Sequence, residues 1–96
     1  MELLLIVSSD AAGAVAGALA GACARAGIAW GCFFTDRAVR LLGDGDFVAG
    51  IDSARRAVVC EHSWQRYMGA RHCPLELGSQ TTNSSMVAGA ARVIGL

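Results

Sequence analysis

Residues Leu3 to Val7 form an unbroken aliphatic run, LLLIV, with Ser8, Ser9 and Asp10 directly behind it. A strand with one face in water alternates apolar and polar residues. Five consecutive aliphatics instead fit a strand covered on both faces, the situation of a parallel sheet. The Ser-Ser-Asp step supplies side-chain acceptors for a helix N-cap. An Ala/Gly-rich stretch then runs without charge to Arg25, and Gly27 closes the helix at about Ala26. Parallel strands need a crossover between them, so this first strand–helix unit predicts more of the same.

The rest of the chain supplies them. Ile28–Thr35 (IAWGCFFT) reads as a second strand, Asp36 opens a short helical piece through Leu42, and Ala57–Cys60 reads as a third strand. A short helix is expected over Ser63–Met68 and a brief strand over Pro74–Leu77. Gly78–Asn83 reads as a polar loop, with Ser84 or Ser85 capping a helix to about Ala91 and a closing strand over Val93–Leu96. Gly43–Asp52 reads as irregular. Its Asp44-Gly45-Asp46 resembles the start of a calcium loop, but the twelfth position is Arg55 where a bidentate Glu is needed. Gly13, Gly17 and Gly21 fall at i, i+4 and i+8, a smooth stripe expected to let the first helix sit close to a neighbour. The alternation of strands and helices implies an α/β fold with a parallel sheet and right-handed crossovers. In such folds reactive groups collect at the carboxyl ends of strands. Three places qualify: Ser8-Ser9-Asp10, Thr35-Asp36-Arg37 and Cys60-Glu61-His62.

Ninety-six residues (1–96) make one domain, with no linker or repeat. With 54% apolar residues, 17% charged and a net charge of zero, the chain is expected to fold compactly and to hide some apolar surface against another subunit. No basic run points to nucleic acid or to an anionic membrane surface. All eight basic residues are arginine, so a Schiff-base lysine and a P-loop lysine are both excluded. Glu2 is the only charge before Asp10, unlike the basic start of a secretory leader, and the apolar run from Ala11 is shorter than the ~18–20 residues that span a bilayer. Cys23, Cys32, Cys60 and Cys73 show no CxxC pair, which favours free thiols in a reducing, cytoplasmic setting.

Cys60 stands out by position, at the end of a buried strand and ahead of a helix start. A helix N-terminus favours an anion and lowers a thiol pKa. His62 would add to this if protonated, and Glu61 would oppose it. The alternative is an inert buried cysteine, and position alone leaves both open. Cys60, His62, His72 and Cys73 give a C-x-H-x9-H-C set, but zinc sites use C-x2–4-C and H-x3–5-H spacings, so no metal is expected. A phosphate or flavin site after the first strand would use Ser9 and the loop around it. Asp10 repels phosphate, and no GxGxxG is present, so no cofactor is implied. A hydrolase triad lacks its G-x-S-x-G elbow.

At CFFTDRAVRLL, Cys32 to Leu42, the chain resembles the DsrE/DsrF family, which includes sulfur-relay subunits of the DsrEFH and TusBCD type. A strand ending in two aromatics, Thr-Asp, and a short helix closing on Leu-Leu carry the resemblance. LLLIVSS, the small-residue helix, RAVVCEHS and SSMVAGAARVIGL agree in order, so it covers nearly the whole chain. It implies a three-layer α/β/α sandwich on a five-stranded parallel sheet, and assembly into dimers, trimers or hexamers, homomeric or with related subunits. It also implies a cysteine near the end of the third strand that carries sulfane sulfur as a persulfide, a position matched by Cys60. The segment between Met68 and Gly78 is compressed relative to the family.

The expected function is accordingly a small cytoplasmic sulfur carrier, a possible sulfurtransferase, with Cys60 as nucleophile and His62 and Ser63 orienting the sulfur. Asp36 is expected to fix the loop at the strand end. Its partners would be sulfur donor and acceptor proteins, not nucleic acid or membrane. Two alternatives accompany it: a silent assembly subunit, since some members of that family lack a working cysteine, and a small-ligand binder using Ser9 and Asp10.

Overall fold

The computed structural model describes all 96 residues. Its five strands are β1 (Leu3–Val7), β2 (Trp30–Phe34), β3 (Arg56–Cys60), β4 (Glu76–Gly78) and β5 (Arg92–Gly95). They form one sheet in the order β4-β3-β2-β1-β5, and every neighbouring pair is parallel. The helices are α1 (Gly13–Ala26), α2 (Gly45–Gly50), α3 (Glu61–Met68) and α4 (Gln80–Ala88), with 3-10 segments at Asp10–Ala12 and Asp36–Gly43.

Alternate side chains along the strands divide the core in two. Leu5, Val7, Trp30, Cys32, Phe34 and Val59 face one way and pack with Ala16, Ala20 and Cys23 of α1, Val39 and Leu42 of the second 3-10 segment, and Trp64 of α3. Leu4, Phe33, Val58 and Cys60 face the other way and meet Met86 of α4. Both sides of the sheet are thus covered, as a three-layer α/β/α arrangement requires. The layers are unequal, because α4 covers the second face alone. Met86 is the one buried residue of α4, and burying a side chain of that size contributes roughly 1.5–3 kcal/mol.

The unequal layers follow from the strand order. The chain steps from β1 to β4 in one direction across the sheet, so its right-handed crossovers all lie on one face. It then reverses, carrying β5 back beside β1, and the return helix α4 must lie on the other face. The reversal opens a crevice at the carboxyl ends of β3 and β4, where α3 leaves towards one face and α4 towards the other.

Several local boundaries differ from the sequence reading. Helix α4 begins at Gln80, not after Ser84, because Ser79 and Thr82 form a reciprocal capping box. The stretch expected to be irregular contains α2, capped by the Asp44 carboxylate, which accepts the Asp46 N–H at 2.9 Å. Strand β2 starts at Trp30 because Gly27 ends α1 in a left-handed turn (φ 68°), and Ile28 is spent closing that turn on Cys23 O at 3.0 Å. The glycine stripe of α1 is not a packing seam. Only Gly13 is closely approached, by Leu41, whereas Gly17 has nothing near it and Gly21 meets only the Arg25 side chain. The seam is Ala16, Ala20 and Cys23.

Candidate functional site

Helix α3 starts at Glu61, directly after β3, with no intervening loop. Ser63 was expected to begin that helix. Instead Cys60 itself is its N-cap, with extended backbone (φ −61°, ψ 115°) and no side-chain oxygen to satisfy the first turn. The free N–H groups of that turn lie beside the thiol sulfur, and those of His62 and Ser63 favour its anion and so lower its pKa.

Two hydroxyls complete this side of the sulfur. Ser63 is buried, and its Oγ accepts the backbone N–H of Asp36 at 2.8 Å. With that oxygen occupied as an acceptor, its one proton is free for Cys60 Sγ or for Thr35 Oγ1, which lies 3.4 Å away. Thr35 follows β2, the strand next to β3, and its hydroxyl also helps to lower the thiol pKa. From the β4 side comes Gln80, whose Nε2 donates to Sγ at 3.9 Å. Burial pushes the Cys60 thiol up, but the Ser63 and Thr35 hydroxyls and the N–H groups of Ser63 and His62 together hold it below its ordinary value. The other cysteines differ. Burial alone pushes Cys32 up to about 12, and burial raises Cys73.

Cys60 lies where two open cavities meet. One, of about 420 Å³, fills the crevice between β3 and β4 and is lined by Glu61, His62, Gln65, Gly78, Ser79 and Gln80. The other, of about 550 Å³, lies on the β2 side and adds Ser8, Thr35, Asp36, Ser63, Arg66 and Tyr67. Only 6% of the Cys60 residue is exposed, so the sulfur is desolvated yet borders both cavities.

Asp36 shapes the second cavity. It is the one non-glycine residue with positive φ (53°), a conformation Asp tolerates better than most. Ser63 holds its N–H, and its carboxylate accepts the Tyr67 hydroxyl at 2.9 Å. The Tyr67 ring in turn lies against two guanidinium groups, Arg40 at 5.1 Å and Arg66 at 5.2 Å.

The expected site residues therefore separate. Cys60, His62, Ser63 and Asp36 come together, although His62 acts on the sulfur through its backbone N–H while its side chain is exposed at the cavity wall. Ser9 and Asp10 stand apart: Ser9 caps the Asp10–Ala12 turn through Ala11 N at 3.1 Å, and Asp10 pairs with Arg40 at 3.6 Å. From their loop it is Ser8 that reaches the cavity. Gln80 was missed, and Thr35, although it stands at one of the three qualifying strand ends, was given no role at the sulfur. Thr35 reads only as a strand end, and Gln80 is brought in by the pairing of Cys60 with Gly78 across β3 and β4, for which no local signal exists. No group of three or more His, Cys, Asp or Glu side chains could hold a metal ion. His72 borders a separate hollow beside Trp64 and Pro74, away from Cys60.

No family model, curated protein or solved structure matches this chain. No helix is long and apolar enough to cross a membrane.

Proposed function

We propose that this protein carries sulfane sulfur as a persulfide on Cys60 and passes it to a partner thiol. The observation that carries the reading is the convergence of donors from three separate strand ends on one desolvated sulfur: Thr35 after β2, the α3 first turn after β3, and Gln80 after β4. Such a shell favours a thiolate, the form that attacks sulfur. The resemblance to the DsrE/DsrF family at CFFTDRAVRLL and RAVVCEHS supports the same chemistry.

The steps balance without any further reagent. The Cys60 thiolate attacks the outer sulfur of a donor persulfide, an S–S bond forms on Cys60, and the donor's S–S bond breaks with its electron pair leaving as the donor thiolate. An acceptor thiolate then attacks the outer sulfur, and the pair returns to Cys60. The setting is a reducing, cytoplasmic one, in which all four cysteines remain free thiols. The test is intact-protein mass after treatment with a persulfide donor, for wild type and Cys60→Ser. A gain of one sulfur on wild type alone supports the reading. A gain that survives the substitution, or none in either form, removes it.

A second reading, assembly, has its own observation. Helix α1 carries no charge before Arg25 and turns Ala14, Val15, Ala18 and Ala22 outward, while the edge strand β5 leaves Val93 and Ile94 exposed. Apolar surface of this kind is what a subunit interface covers. Sedimentation showing a monomer at every concentration removes this reading.

A further inference from the structure

We propose that Gln80 is a catalytic residue of the Cys60 site, its side-chain amide donating to the sulfur from the β4 side and stabilising the thiolate both before loading and on discharge. This rests on the persulfide reading and assigns a role within it. Four observations carry it. The Gln80 Nε2 lies 3.9 Å from Cys60 Sγ, within reach of a hydrogen bond to sulfur, and the side chain makes no other hydrogen bond. Gln80 lines both cavities that meet at Cys60, so a group approaching the sulfur through either one passes it.

Its backbone is fixed from below. The Ser79 N–H donates to Thr82 Oγ1 at 3.1 Å, and Thr82 N donates to Ser79 Oγ at 3.3 Å, which sets the first turn of α4. Gly78, paired with Cys60, lets α4 come this close. A Cβ there would lie 2.7 Å from Val58 Cγ1 and 3.0 Å from Thr82 Oγ1. A glutamine on an exposed helix start ordinarily keeps its rotamer freedom in water, and here that freedom is spent on a single partner, the sulfur.

The chemistry asks for such a group. On loading, the attacking species is the Cys60 thiolate. On discharge, the acceptor attacks the outer sulfur and the S–S electron pair returns to Cys60, which leaves as a thiolate again. A neutral N–H donor favours the sulfur anion in both steps, whereas a carboxylate at the same place opposes it. The other titratable groups near the cavities, Asp36, Glu61, His62, Arg66 and Tyr67, stay unchanged when only position 80 is altered.

The test is the pH profile of Cys60 alkylation by iodoacetamide in wild type, Gln80→Ala and Gln80→Glu, followed by discharge of preformed persulfide to a small thiol. Glu is well tolerated in a helix first turn, so Gln80→Glu keeps α4 folded. The expected result is a midpoint raised by about one pH unit or more in Gln80→Glu, a smaller rise in Gln80→Ala, and discharge slowed in the same order. Equal shifts in the two variants would indicate a merely structural role and overturn the proposal, as would a Gln80→Glu profile that superimposes on wild type. Alkylation does not depend on sulfur loading. A shifted profile in a protein that never forms a persulfide would uphold Gln80 as the donor and remove the carrier reading instead.

Discussion

The Ser63 hydroxyl joins two neighbouring strand ends: its oxygen accepts the Asp36 N–H at 2.8 Å, which leaves its proton available to Cys60. One buried side chain thus holds a left-handed backbone turn and a thiol at once. Removing it orphans the Asp36 donor. Ser63→Ala is expected to cost about 1–3 kcal/mol, read from urea unfolding. The alkylation midpoint of Cys60 should rise as well, because a donor to the thiolate is gone. Unfolding and alkylation both unchanged would disprove this linkage.

Asp36 is expected to discriminate by shape before charge. Asp36→Asn keeps both the tolerance of positive φ and an oxygen for the Tyr67 hydroxyl, so thermal unfolding should stay close to wild type. Asp36→Val, β-branched at the same dihedrals, should lose about 1–3 kcal/mol in the same melt. A valine variant as stable as the asparagine one would show that the turn relaxes freely.

Two cysteines give opposite pH signatures. The Cys60 pKa is lowered on folding, so its contribution to stability is present above the unfolded thiol value and is lost as pH falls through the folded one. Cys32 is raised from 9.0 to about 12, so the unfolded chain ionises first and stability falls as pH climbs between those values. Stability measured by urea titration should therefore decline between pH 9 and about 12, above the range in which Cys60 contributes its gain, and Cys32→Ala should flatten that decline at the cost of about 1 kcal/mol at neutral pH from the cavity it leaves. An unchanged alkaline slope in Cys32→Ala would count against burial of that thiol as its cause.

Gly78→Ala places a methyl group where Val58 already stands. The expected loss is about 1–3 kcal/mol from overpacking. Because β4 must move away from β3 to relieve it, Cys60 alkylation should move in the direction expected for loss of Gln80. Loss of stability without any change at Cys60 would separate the strand contact from the sulfur.

The parallel sheet was legible because LLLIV, WGCFF and AVV are continuous apolar runs, and a run buried on both faces has few alternatives. Cys60 and Ser63 were legible as residues of one strand end. The helical nature of Gln80–Asn83 was not, since QTTN is polar and its capping box uses Thr82 where Glu or Gln is the usual signal. Helix α2 was hidden in the same way, its Gly and Asp residues reading as loop until Asp44 is seen to cap it. The glycine stripe misled because a helical period says which residues share a face, not whether anything is packed there. Thr35 and Gln80 reach Cys60 only through strand pairing, which is a property of the fold and has no trace in local sequence.

The crevice between β3 and β4 has a floor of paired main chain, Val59 with Leu77 and Cys60 with Gly78, while its walls are the exposed residues Glu61, His62, Gln65, Ser79 and Gln80. Its existence is therefore decoupled from its lining. An exposed wall position such as Gln65, which makes no side-chain hydrogen bond, is open to substitution at little thermodynamic risk. That separation makes the domain a compact chassis on which thiol reactivity and partner choice can be retuned independently, one wall residue at a time.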